Sequence, residues 1–236
     1  MRHYLFIFSF LLLGLYSCDT ETLRIEKFDA HGIDVSHYQG QIDWQKIKEQ
    51  DIHFAFVKVT EGGDFEDSLF CQNWEEIKKV GLKRGAYHFF RPKVDVNTQI
   101  ANFIDNVKLQ SGDFPPVLDV EVFDGVSKIQ LINAMHKWLS AIEINYNIKP
   151  IIYSNLKFYN KNLAGHFNDY PLWIARYNTR EPRLADNRTW HFWQYGNKGK
   201  IDGINGFVDF NVFSGTLEDL DALSFSPAAS ISALED

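Results

Sequence analysis

Cysteine is nearly absent from this chain of 236 residues: only Cys18 and Cys71 occur. With no paired cysteines and no H-E-x-x-H spacing among its eight histidines, neither common zinc arrangement is available. No G-x-S-x-G elbow is present. "DVSH" holds Asp34, Ser36 and His37, the residue types of a nucleophilic triad, but on a strand His37 points away from Ser36. A phosphate-binding glycine loop is missing, so nucleotide binding has no support. Lysine and arginine form no cluster, and the formal charge is −7. That balance argues against nucleic acid and other anionic polymers, though not against a neutral sugar chain. No linker, repeat or low-complexity tract divides the sequence, and its length suits one large domain.

Long apolar runs are also scarce, with one exception at the start. "MRHYLFIFSFLLLGLYSC" combines a basic Arg2 with an apolar stretch, Leu5–Leu15, that is short for a bilayer span. It resembles a bacterial lipoprotein signal with "LYSC" as the lipidation box. Residues 1–17 are then the signal peptide, Cys18 the lipidated first residue, and 18–30 a short tether. The protein would be exported and held at a membrane through this anchor alone, on a periplasmic or cell-surface face. Acylation of Cys18 leaves Cys71 without a disulfide partner. Cys71, in the helical pattern "SLFCQNWEEI", is expected to be a small buried apolar residue.

Eight strand-like runs follow: "HGIDVSHY" (31–38), "HFAFVKVT" (53–60), "RGAYHFF" (84–90), "PPVLDVEV" (115–122), "KPIIYSN" (149–155), "YPLWIARY" (170–177), "HFWQYG" (191–196) and "GFVDFNVF" (206–213). Helical periodicity links the early ones. Leu69, Phe70, Trp74, Ile77 and Val80 share a face, as do Val96, Ile100, Phe103, Ile104 and Val107, and Leu131, Met135, Trp138, Leu139 and Ile142. Asp95 and Ser127 are the expected N-caps. Asp43–Gln50 and Leu156–Ala164 suit shorter helices. The gaps 178–190 and 197–205 have no helical period. The pattern predicts a single-domain α/β fold: an irregular, TIM-like (β/α)5(β)3 barrel over 31–218, with 219–236 a frayed tail.

In such a barrel the strands' C-terminal ends converge on the active site. Those ends carry an unusual load of acids and rings. In "VLDVEV", Asp119 and Glu121 fall on one face of an apolar strand, about 6.5–7 Å apart at the backbone. Like charges so placed are unfavourable without a task. With the other chemistries excluded, carboxylate catalysis remains, and glycoside hydrolysis is its commonest form.

"GIDVSHYQG", "FVKVTEG", "RGAYHFF", "VLDVEV", "PIIYSN", "LWIARY", "WQYG" and "VDFNVF", in this order, resemble glycoside hydrolase family 25, the Chalaropsis-type lysozymes or N-acetylmuramidases, over about residues 31–214. The resemblance implies cleavage of the β-1,4 bond between N-acetylmuramic acid and N-acetylglucosamine in peptidoglycan strands, by a monomer without cofactor or metal. It makes Glu121 the general acid, with Asp119 beside it and Asp34 and Asp209 completing the acidic cluster. Tyr87, Tyr153, Trp173, Gln194 and Tyr195 become sugar contacts. An ionised Asp119 would raise the pKa of Glu121 and keep it protonated. Asp119 could also orient the substrate's 2-acetamido group for attack on the anomeric carbon. A covalent nucleophile at Asp119 or Asp209, and inversion through an activated water, remain open. So do a chitinase-like specificity and a silent glycan-binding lipoprotein.

Overall fold

The structure, a computed structural model, describes residues 21–227; the expected signal segment, Cys18 and the last nine residues lie outside that range. Each apolar run provides one barrel strand. The strands are β1 (His31–Val35), β2 (Phe54–Glu61), β4 (Lys83–Phe89), β5 (Val117–Asp119), β6 (Ile151–Asn155), β7 (Leu172–Ala175), β8 (Phe192–Gly199) and β9 (Val208–Phe213), with a two-residue β3 (Phe65–Glu66) folded back on the end of β2. From β1 round to β8 neighbouring strands are parallel, whereas β9 is antiparallel to both β8 and β1 and closes the barrel.

Helices α1 (Trp44–Lys48), α2 (Phe70–Lys79), α3 (Val96–Asn106), α4 (Lys128–Tyr146) and α5 (Leu156–Phe158, continued by a π turn to Leu163) follow the first five parallel strands. This is the expected (β/α)5(β)3 order. The caps are local chemistry. Asp95 accepts from the amides of Asn97 and Thr98, and Ser127 forms a reciprocal capping box with Gln130.

Some expected boundaries move. Residues 217–222 form a helix, α6 (Leu217–Ala222), instead of a frayed tail. Leu220 is buried, and the Phe225 backbone pairs with Gly112 and Asp113. The tether likewise docks from residue 22, where the Thr22 amide donates to the Lys198 carbonyl and the Phe28 ring meets Trp190 and Trp193. Cys71 is exposed, contrary to expectation, because Phe70, Trp74 and Ile77 take the buried face of α2.

Strand alternation sorts the core into two layers. Residues such as Ile33, Val57, Leu118 and Ile174 face outward under the helices. Phe54, Phe56, Phe114 and Phe192 point inward and meet edge to face at 5.1–5.8 Å, with Trp173 stacked on Phe56 at 4.3 Å. The barrel is therefore plugged with rings rather than aliphatic chains. Two strand glycines make room for them. A Cβ on Gly32 would lie 2.2 Å from the Phe54 ring, and one on Gly85 2.5 Å from Phe56.

Gly32→Ala should overpack this plug and cost about 1–3 kcal/mol, seen as a lower denaturation midpoint. An unchanged midpoint would mean that the rings can move aside.

Candidate active site

Above the ring plug, at the C-terminal end of the parallel strands, lies a cavity of about 190 Å³. It is lined by Asp34, Asp119, Glu121 and Asp209 and by Tyr87, Tyr153, Trp173 and Gln194. The four carboxyl groups named from the sequence thus meet, with four of the five expected sugar contacts. The fifth does not. Tyr195 faces outward among Trp193 and Phe210 and bonds to the Ile25 backbone. Gln194 points inward on β8, and alternation must then turn Tyr195 away. Tyr195 clamps the N-terminal segment to the barrel wall.

Period-two counting also adds residues that the sequence reading gives no role in the site. Lys58 continues the inward Phe54–Phe56 row of β2, and Tyr177 lies two beyond Ala175; both line the cavity, as does Phe89. Tyr177 is half exposed, at 54%. The suspected triad is not assembled: His37 bonds to Asp67 at 2.7 Å, while Ser36 is engaged with Gln39 in a capping box.

Asp34 sits at the centre of a directed network. Its Oδ2 accepts from the side-chain amides of Gln194 (2.8 Å) and Asn211 (2.7 Å). The amide oxygens are engaged in turn. Tyr153 and Tyr177 hydroxyls donate to Gln194 Oε1, and the Trp173 indole N–H donates to Asn211 Oδ1. Every donor in this relay points toward Asp34.

Asp209 faces Asp34 directly across the β1–β9 ladder. Burial, then the Asp34 charge and a hydrogen bond to it, push Asp209 up to about 9. Burial also raises Asp34, to about 6, against the pull of its two amide donors. At neutral pH the pair therefore holds one proton, on Asp209, which donates to the Asp34 carboxylate.

The second acid pair differs from the sequence expectation. Asp119 is almost fully buried, with 5% of its surface exposed, and its Oδ1 has no hydrogen-bond partner among the described residues. Burial first, and the neighbouring Glu121 second, hold Asp119 well above the usual carboxylate range, with Lys58 opposing. Glu121 is only partly buried. Burial raises it too, but a hydrogen bond from Asn155 pulls it down. Burial thus favours the neutral form of Asp119 as well as of Glu121, whereas the sequence reading has Asp119 ionised.

Lys58 is itself held by Glu61 at 2.6 Å, and Arg91 grips the other oxygen of Glu61 and approaches Asp124 at 3.6 Å. This chain of charges ties the ends of β2 and β4 to the loop that follows Glu121.

Residues 33–204 match the family model described as "Glycosyl hydrolases family 25". The chain is 47% identical over 200 residues to the uncharacterized protein YegX of Escherichia coli (strain K12), spanning 83% of this chain and 73% of that protein. It is 34% identical to lysozyme M1 of Streptomyces globisporus, over 84% of this chain and 72% of the relative. A family 25 glycosyl hydrolase structure from Bacillus anthracis superposes with a TM-score of 0.81 at 32% identity, covering 86% of this chain and 97% of that one.

An aspartate whose pKa is raised by folding binds more protons folded than unfolded between its ordinary value and the raised one. The folded state therefore loses stability as pH climbs through that window. Asp209→Asn keeps a neutral donor at this position, so its stability advantage over the wild type should widen between pH 4 and pH 9. Thermal unfolding at several pH values checks this; a pH-independent difference would contradict the assigned proton.

Proposed function

The chain belongs to family 25 of the glycosyl hydrolases, and from that membership we propose a peptidoglycan muramidase that cleaves the β-1,4 bond between N-acetylmuramic acid and N-acetylglucosamine. Membership makes the chain a glycoside hydrolase; the assignment of substrate and residue roles is this proposal. The lysozyme among its relatives supports the substrate class. One observation carries the residue roles: Glu121 stands at the edge of the cavity beside a deeper Asp119 whose Oδ1 lacks a partner among the described residues.

An unpaired buried acceptor calls for a donor from the substrate. The N–H of a 2-acetamido group supplies one. That hydrogen bond favours the charged form of Asp119 and lowers its proton affinity. With Asp119 charged, the proton of the pair rests on Glu121, so binding itself arms the general acid. Glu121 gives the proton to the glycosidic oxygen as the C1–O bond breaks. The acetamido oxygen, aligned by Asp119, bonds to C1 and forms an oxazolinium ion that the Asp119 carboxylate stabilises. Water then attacks C1, Glu121 takes its proton, and the anomeric configuration is retained. Asp34, kept ionised by its amide donors, adds negative potential where the oxocarbenium character develops. The signal peptide expected at residues 1–17 adds export, and the lipidation expected at Cys18 adds membrane attachment, to this reading.

Purified peptidoglycan should yield fragments with N-acetylmuramic acid at the new reducing end, identified by mass spectrometry, while chitin stays intact. Glu121→Gln should lower this activity about 10²–10⁴-fold without loss of folding. N-acetylglucosamine reducing ends, or a fully active Glu121→Gln variant, would overturn the assignment.

Asp119→Asn separates the mechanisms. It should reduce the rate strongly without trapping a sugar on the protein, and a thiazoline analogue of the oxazolinium should inhibit the wild type. A stable glycosyl adduct on Asp119 or Asp209, with no thiazoline inhibition, would instead mean a covalent nucleophile.

A further inference from the structure

Beyond Glu121, which lines both, a second groove of about 410 Å³ adjoins the catalytic cavity, with Asn155 beside Glu121 in its wall. The far wall comes from the loop after β5 and from α5 with its π turn. Its apolar part is the Phe123–Phe158 pair, with ring centroids 5.1 Å apart. Lys157 and Lys161 line the same groove. Both are exposed, and neither makes an ion pair among the described residues. Two other cations at the barrel mouth, Lys58 and Arg91, are by contrast both held by Glu61.

Two uncommitted cations beside a four-carboxyl cavity, in a chain of net charge −7, gain no charge pairing from a neutral sugar. They complement an acidic ligand, and the ring pair beside them suits its apolar portion. The position fixes where that ligand comes from. Glu121 protonates the leaving oxygen, so the groove on its far side receives the leaving part of the strand. On a peptidoglycan strand the acidic groups are the carboxylates of the peptides carried by the muramic residues.

We propose that this groove binds the acidic stem peptide of a muramic residue on the leaving-group side of the cleaved bond, with Lys157 and Lys161 contacting its carboxylates and Phe123 and Phe158 its aliphatic side chains. This rests on the muramidase reading above. The groove makes the enzyme selective for peptide-bearing strands over bare glycan of the same sugar sequence.

The test compares two substrates: solubilised peptide-bearing strands, and the same strands with their carboxyl groups chemically converted to amides. The sugars are identical in both. Two exposed ion pairs at about 0.5 kcal/mol each correspond to roughly fivefold in KM. Wild type should therefore show a KM about fivefold lower on native than on amidated strands, and the preference should fade in high salt. The double variant Lys157→Gln/Lys161→Gln should lose the preference while matching wild type on amidated strands, a match that also reports an intact fold and catalytic centre. Lys157→Arg/Lys161→Arg should retain it. Equal wild-type activity on both strands, or an equal loss on both in the Gln variant, overturns the proposal. A wild type inert on both strands would overturn the muramidase reading beneath it.

Discussion

Burial of carboxyl groups over a dry floor of aromatic rings governs this molecule. Four acids in open water would each ionise near their ordinary values and repel one another weakly. Here Phe54, Phe56, Phe192 and Trp173 close the barrel below them, and burial makes their charged forms costly. The acids must share protons or find donors. Asp34 takes the donors, from Gln194 and Asn211, and stays charged. Asp209 keeps a proton and gives it to Asp34 as a hydrogen bond. Asp119 and Glu121 divide what remains. Depth is the largest difference between them, one sunk into the floor and the other at its rim, and the Asn155 hydrogen bond to Glu121 adds to it.

The same plug explains the glycines and the strand sequences. Filling a barrel with large rings requires that facing positions lack side chains, which is the role of Gly32 and Gly85. Two residues farther along those strands stand Asp34 and Tyr87, both in the cavity wall. Alternation carries the strand from floor to site in one step.

Much of this was legible in the sequence. The strand order, the helix caps at Asp95 and Ser127, and the convergence of Asp34, Asp119, Glu121 and Asp209 follow from periodicity and from acids placed at apolar strand ends. What escaped did so for identifiable reasons. Tyr195 belongs to a motif whose neighbour Gln194 already takes the inward position, so motif membership misled where alternation would not. Tyr177 lies past the last paired residue of β7, where counting on by two from Ala175 reaches it but the choice of motif residues does not. The relative depth of Asp119 and Glu121, and so the protonation of the pair, depends on which side chains cover them. That is a property of tertiary packing, with no local signature. Helix α6 escaped although Thr216 and Asp219 form a capping box at its start; the docked segment from Thr22 had no local signal, being held by the distant β8.

The reversed final strand has a kinetic corollary. β9 is the wedge between β8 and β1, and Asn211 reaches Asp34 across 177 positions of sequence. Local β-α units can form as the chain emerges, but this seam cannot, since it requires the first strand to wait for the last. A chain cut short before residue 208 has no β9, hence neither the partner acid Asp209 nor Asn211, one of the two amide donors to Asp34. Nascent chains are therefore without the assembled acid pair until synthesis has passed its final strand.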